Sequence, residues 1–198
     1  MITIIDYGMA NLESVRKAFE TIGAETHIIV RPEDIHRASH IVLPGVGAFG
    51  QAIKNIRERG IDEAICEAVK KGAAFLGICL GLQVLFTESE EKGLHRGLDM
   101  FKGRVRQLPE GLVPHIGWNQ THITHYNPIL EGIQDHSYFY FVHSYYVDPV
   151  ETKDVIAETD YYIRFASIIG RDRIWGIQFH PEKSQQKGLK ILENFTNM

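Results

Sequence analysis

Cysteine is scarce here: only Cys66 and Cys79 occur in 198 residues. Two thiols cannot build the disulfide framework of a small secreted domain. No CxxC and no Cys/His cluster at metal-ligand spacing occurs, so no metal or other cofactor is expected. His122 and His125, in THITHY, read as a polar surface turn before Asn127-Pro128. Basic runs are missing too, and formal net charge is −4, which argues against nucleic acid as a partner. No apolar stretch approaches the roughly 18–20 residues of a membrane span. Met1 leads straight into the strand-like ITIID, without a positive n-region. The expectation is a cytoplasmic protein with reduced thiols. Repeats, low-complexity tracts and linkers are also missing. Residues 1–198 therefore read as one α/β domain, long enough for a sizeable core.

The first half alternates between periods. Residues 2–6, 26–30, 40–44 and 73–78 are short apolar runs and read as buried strands. Leu12, Val15, Phe19 and Ile22 fall at helical spacing. Asn11 is placed to cap that helix and Gly23 to stop it. Two more helices are expected at about 49–59 and 61–71, divided at Gly60, and another begins near Leu80. Such alternation implies a parallel sheet covered on both faces. Beyond about residue 100 the segments GRVRQL, YFYFVHSYYV, DVIAET, FASIIG and RIWGIQF read as short strands, many of them antiparallel. A last helix spans about 184–197. The expected fold is a flavodoxin-like, mixed and mostly parallel sheet with helices on both faces. Antiparallel strands are added in the C-terminal half.

Three short motifs carry chemistry. Gly77-Ile78-Cys79-Leu80-Gly81 has the form of a nucleophile elbow, with cysteine at its apex. The flanking glycines remove side chains that would collide at so sharp a turn. A core cysteine beside incidental glycines would look the same in isolation. The apolar strand before it and the helix after it favour the elbow. Cys66 lies within an amphipathic helix, without a glycine turn, and reads as packing. In RIWGIQFHPEKS, His180 and Glu182 stand two apart, so an extended backbone points them to one side. Pro181 disfavours helix at His180. His180 can take a thiol proton while Glu182 orients the imidazole. The LPGVGAFG loop follows the third strand, with Gly45 and Gly47 freeing its backbone. It would meet the elbow at the carboxyl edge of the sheet. The Leu80 N–H, with one from Val46 or Gly47, could form an oxyanion hole.

PGVG, GICLGLQ and HPE, in this order, resemble the class I, triad-type glutamine amidotransferases over essentially the whole chain. DYGMANL, PHIGWN, YFVHSYY and GIQFHPEKS narrow the resemblance to the glutaminase subunits of imidazole glycerol phosphate synthases. The resemblance implies roles for particular residues. Cys79 would be the nucleophile, His180 the base and Glu182 the orienting acid. Gly45, Gln83, Glu91 and the His143-Ser144-Tyr145 segment would hold L-glutamine. Asn11, Trp118, Tyr140 and Lys183 would face a (β/α)8-barrel synthase (cyclase) subunit in a heterodimer. Ala10 and Leu82 stand where the family commonly has Gly and Met. Other readings remain open at this stage: a glutaminase subunit serving a different synthase, a cysteine peptidase, or a non-catalytic module on the same fold.

Overall fold

The computed structural model describes residues 1–109 and 113–198. In chain order the strands are β1 (Ile2–Ile5), β2 (Thr26–Ile29), β3 (His40–Gly45), β4 (Ala74–Cys79), β5 (Phe86–Ser89), β6 (His95–Arg96) and β7 (Phe101–Gln107). They continue as β8 (His115–Ile123), β9 (Ser137–His143), β10 (Tyr145–Pro149), β11 (Val155–Tyr161), β12 (Ile163–Arg171) and β13 (Ile174–Ile177). The helices are α1 (Leu12–Thr21), α2 (Pro32–Ile35), α3 (Phe49–Glu58), α4 (Ile61–Lys70), α5 (Leu80–Gln83) and α6 (Gln185–Thr196).

The main sheet has nine strands in the order β2-β1-β3-β4-β13-β12-β11-β8-β9. The pairs from β2 through β13 are parallel. Those from β13 through β9 are antiparallel. A second sheet runs β10-β7-β5-β6. Central strands β1 and β4 are buried along their length and β3 from Ile41 onward, as two covered faces require. Ile5, Ile41, Leu43 and Phe75 enter one core, against α3 and α4. Ile2, Ile4, Val42 and Leu76 enter the other, against α1 and α6.

Local signals explain the boundaries. The Asn11 side chain accepts from the Ser14 N–H at the start of α1, and Gly23 takes a left-handed φ of 80° beyond its end. Gly60, also left-handed, divides α3 from α4.

A helix begins at Leu80 as expected; it is four residues long and gives way to β5. The structure corrects two expectations. YFYFVHSYYV is not one strand: β9 pairs with β8 and β10 with β7, in different sheets, and the chain breaks at Ser144. THITHY is not simply a turn, because His122 lies within β8. Among the described residues no helix is long and apolar enough to cross a membrane.

Candidate active site

Strand β4 ends in Cys79, whose φ of 55° and ψ of −107° are strained for a residue with a side chain. Parallel pairing sets Gly45 of β3 directly beside it. The elbow is packed so closely that only glycine fits around it. A Cβ on Gly81 would run into the Leu43 carbonyl, and one on Gly77 into the Gly81 backbone. One on Gly45 would meet the Tyr7 hydroxyl. That hydroxyl is buried and has no hydrogen-bond partner among the described residues. Burial, aided by charge on Cys79, pushes the Tyr7 pKa up.

The Cys79 Sγ accepts from Gln178 Nε2 at 3.7 Å and lies 3.8 Å from the Val142 carbonyl oxygen. His180 Nδ1 and Glu182 Oε1 are 2.8 Å apart, and both side chains are buried. His180 Nε2 makes no hydrogen bond of good geometry with a described residue, yet the Cys79 sulfur is close enough to act on it. Burial works to lower the His180 pKa. Cys79 and Glu182 together overcome that and hold it at about 10. At neutral pH the imidazole is therefore protonated beside the sulfur.

A cleft of about 280 Å³ opens over Cys79. Val46, Gly47 and Leu80 line one side, and His143, Ser144 and Tyr145 another. Gln83 and Glu91 also reach it. Glu91 is fixed there because its Oε2 accepts the Phe49 N–H at 2.6 Å, at the first residue of α3. Gln83 Nε2 donates to the Tyr145 carbonyl at 3.0 Å and to Gln178 Oε1 at 3.3 Å. His180 and Glu182 lie outside the lining, with His180 acting on Cys79 from beyond the cleft wall.

The Val46 backbone is turned away from the cleft's sulfur. Its N–H donates to the Met9 carbonyl at 3.0 Å, so in this conformation it is spent and not offered as an oxyanion donor. Gly47 follows with a left-handed φ of 98°.

Trp118, Tyr140 and Lys183 come together away from the cleft. Trp118 and Tyr140 are cross-strand partners on β8 and β9, their rings 6.1 Å apart. Lys183 Nζ stands 5.8 Å from the Tyr140 ring. Asn11 is occupied in capping α1, and that helix packs against the 3-10 turn Pro181–Lys183. Cys66 sits half-buried in α4.

The sequence reading missed Gln178, whose amide joins Cys79 to Gln83. Its signal was available: it stands two residues before His180. Pro114 and Val142, both cleft-lining, were missed as well, with no pattern to mark them. His122, Asp135 and His136 form an exposed group whose metal-ligating atoms lie within 4.8 Å of one another. Asp135 accepts from the Ile123 and His136 backbone N–H groups and pairs with His122, which accounts for the cluster without an ion.

A strained cysteine facing a cleft beside a buried His–Glu pair is an arrangement suited to acyl transfer, and comparison identifies the class of the chain. The description of class-I glutamine amidotransferases matches residues 3–198, and the chain belongs to that family. It is 50% identical to the imidazole glycerol phosphate synthase subunit HisH of Aquifex aeolicus, covering 97% of this chain and 94% of that one. Identity to the subunit of the same name from Syntrophotalea carbinolica is 48%, with both chains covered completely. For Desulfitobacterium hafniense it is 47%, over 98% and 93%. Among solved structures, PurLQS from Thermotoga maritima shares the fold at TM-score 0.83 and 17% identity, covering 99% of this chain and 97% of that one. A glutamine amidotransferase crystal structure does so at TM-score 0.77 and 17% identity, over 100% and 98%.

Proposed function

We infer that this chain is the glutaminase subunit of an imidazole glycerol phosphate synthase, and that it hydrolyses L-glutamine to supply ammonia for histidine biosynthesis. The observation that carries the reading is the strained Cys79, coupled to a buried His180–Glu182 pair, on the floor of a cleft that fits a small amino acid. The relatives' shared name supports the pathway.

The thiolate of Cys79 adds to the side-chain amide carbon of glutamine. The Leu80 N–H, at the start of α5, and one from the Gly45–Gly47 loop receive the charge on the amide oxygen. His180 gives its proton to the departing ammonia, and a thioester remains. His180 then takes a proton from water, which hydrolyses the thioester and releases glutamate. Gln83, Glu91 and the backbone of 143–145 hold the amino-acid end of glutamine. The whole chain acts as one amidotransferase domain in the cytoplasm.

The ammonia passes to a (β/α)8-barrel synthase subunit in a heterodimer. A patch on β8 and β9 supports a docking face: Ile116, Trp118 and Tyr138 are exposed apolar side chains on one side of that hairpin. Contiguous aromatics beside a cation are typical interface anchors. The PGVG loop and the fixed Glu91 favour glutamine over a peptide substrate.

Replacement of the nucleophile tests the reading. In the assembled complex, Cys79→Ala should abolish synthesis from glutamine and spare synthesis from ammonium salts. Cys66→Ala should leave both nearly intact. A Cys79→Ala protein that still released glutamate would end this account.

A further inference from the structure

A chain of hydrogen bonds runs from the outer strands of the main sheet to the nucleophile. Asn119 Nδ2 donates to the Asp160 carbonyl at 3.0 Å and lies 3.3 Å from His115 Nε2. His115 Nδ1 is 2.9 Å from His143 Nε2, and His143 Nδ1 is 2.8 Å from the Tyr145 carbonyl. That carbonyl also receives Gln83 Nε2, and Gln83 connects through Gln178 to Cys79 Sγ.

Both ends set the direction of the protons. A carbonyl oxygen only accepts, so His143 carries its proton on Nδ1 and presents a bare Nε2. Asn119 Oδ1 accepts the Gln120 N–H at 2.7 Å, which leaves Nδ2 as the donor toward His115 Nε2. His115 must then also carry its proton on Nδ1 and donate to His143. The surroundings keep both rings neutral. His115 is stacked on Tyr161 at 3.8 Å and on Phe141 at 4.9 Å, and His143 lies 5.1 Å from Phe165. Burial lowers His115 to about 4 and His143 to about 3.

We propose that His115, steadied by Asn119, is a positioning residue for glutamine binding: its Nδ1–H holds His143 Nε2, keeps that ring where its own Nδ1–H pins the Tyr145 carbonyl, and thereby shapes the 143–145 wall of the cleft. Neither His115 nor Asn119 lines the cleft, so each acts only through His143. This rests on the glutaminase reading above. The wall contacts the part of the substrate that does not react, so its loss weakens ground and transition states alike and appears in KM.

Two measurements test it. Nitrogen-detected NMR of the full chain should find both rings protonated on Nδ1 and neutral from pH 6 to 8. A His143 protonated on Nε2, or titrating in that range, overturns the proposal. The second is glutamate release by the assembled complex. His115→Phe keeps the ring stack and removes the donor. It should raise the KM for glutamine roughly tenfold, with kcat within about twofold, the scale of one buried hydrogen bond. His115→Asn, whose amide replaces Nδ1–H, should recover most of the loss. An unchanged KM in folded His115→Phe, a loss confined to kcat, or no recovery in His115→Asn overturns it. If His115→Phe does not fold, Asn119→Ala at the outer end should give a smaller rise in KM, and no rise is again a refutation. A wild-type complex that releases no glutamate would instead sink the glutaminase reading, which separates the two failures.

Discussion

His180 sets the pH behaviour of the site. Its folded pKa, about 10, lies above its ordinary value of 6.5 because Cys79 and Glu182 outweigh the effect of burial. The imidazolium therefore persists through neutral pH and can protonate departing ammonia. As pH rises through about 10 that proton is lost, and kcat/KM for glutamine should fall. Glu182→Gln removes one of the two charges holding the pKa up. Its alkaline limb should move to lower pH, and kcat should drop by on the order of 10²–10⁴. A pH–rate profile of both proteins checks this. An unmoved limb would mean that Glu182 is no part of the relay.

At the scale of the element, the loop after β3 is the part poised to change. The Val46 N–H is bound to the Met9 carbonyl, while Gly45 and Gly47 flank it and place no side chain in the way of rotation. One missing oxyanion donor costs roughly 10²–10³ in rate. The isolated subunit should therefore release glutamate slowly, faster with the synthase partner, and fastest with partner and synthase ligand. The gain should lie mainly in kcat, since the missing contact is to the transition state. Full turnover by the isolated chain would show that this loop needs no rearrangement. The β8–β9 hairpin gives a second outcome. Trp118 is 46% exposed, so Trp118→Ala should leave the thermal midpoint of the isolated chain nearly unchanged. Partner affinity should fall by about 2 kcal/mol, roughly thirtyfold. Loss of fold with unchanged affinity would mean that Trp118 serves the core.

The whole molecule carries buried and half-buried histidines of both kinds, and they act on stability in opposite senses. His115, His143 and His40 have folded pKa values lowered by burial. Below about 6.5 the unfolded chain binds protons that the folded chain refuses, so stability falls as pH drops from there toward 4. His180 is raised, so its contribution is complete below 6.5 and is lost as pH climbs toward 10. Urea midpoints measured from pH 4.5 to 9.5 should peak near 6.5 and decline on both sides. A flat profile between 5 and 6.5 would mean that the His115–His143 pair is not buried neutral.

Much of this protein is legible in the order of its residues because the signals are local. Asn11 and Gly23 bracket α1 through their own backbone preferences. Gly77 and Gly81 mark the elbow because no other residue fits there. His180 and Glu182 share a side because alternation along a short extended segment puts them there. Other features depend on residues far apart in the chain. The break at Ser144 arises because β9 and β10 find partners in different sheets, and no turn residue announces it. β8 went unrecognised because its outer face mixes Trp118 with Gln120 and His122, while Gly117 and Asn119 interrupt the inner one. The Val46 N–H is committed to Met9, in the loop after β1, by the adjacency of β1 and β3. The His115–His143 contact joins residues 28 apart through cross-strand register. Short-range chemistry can be read from neighbours in the chain, but proton direction, loop state and cleft shape are set by pairings that exist only once the sheets have formed.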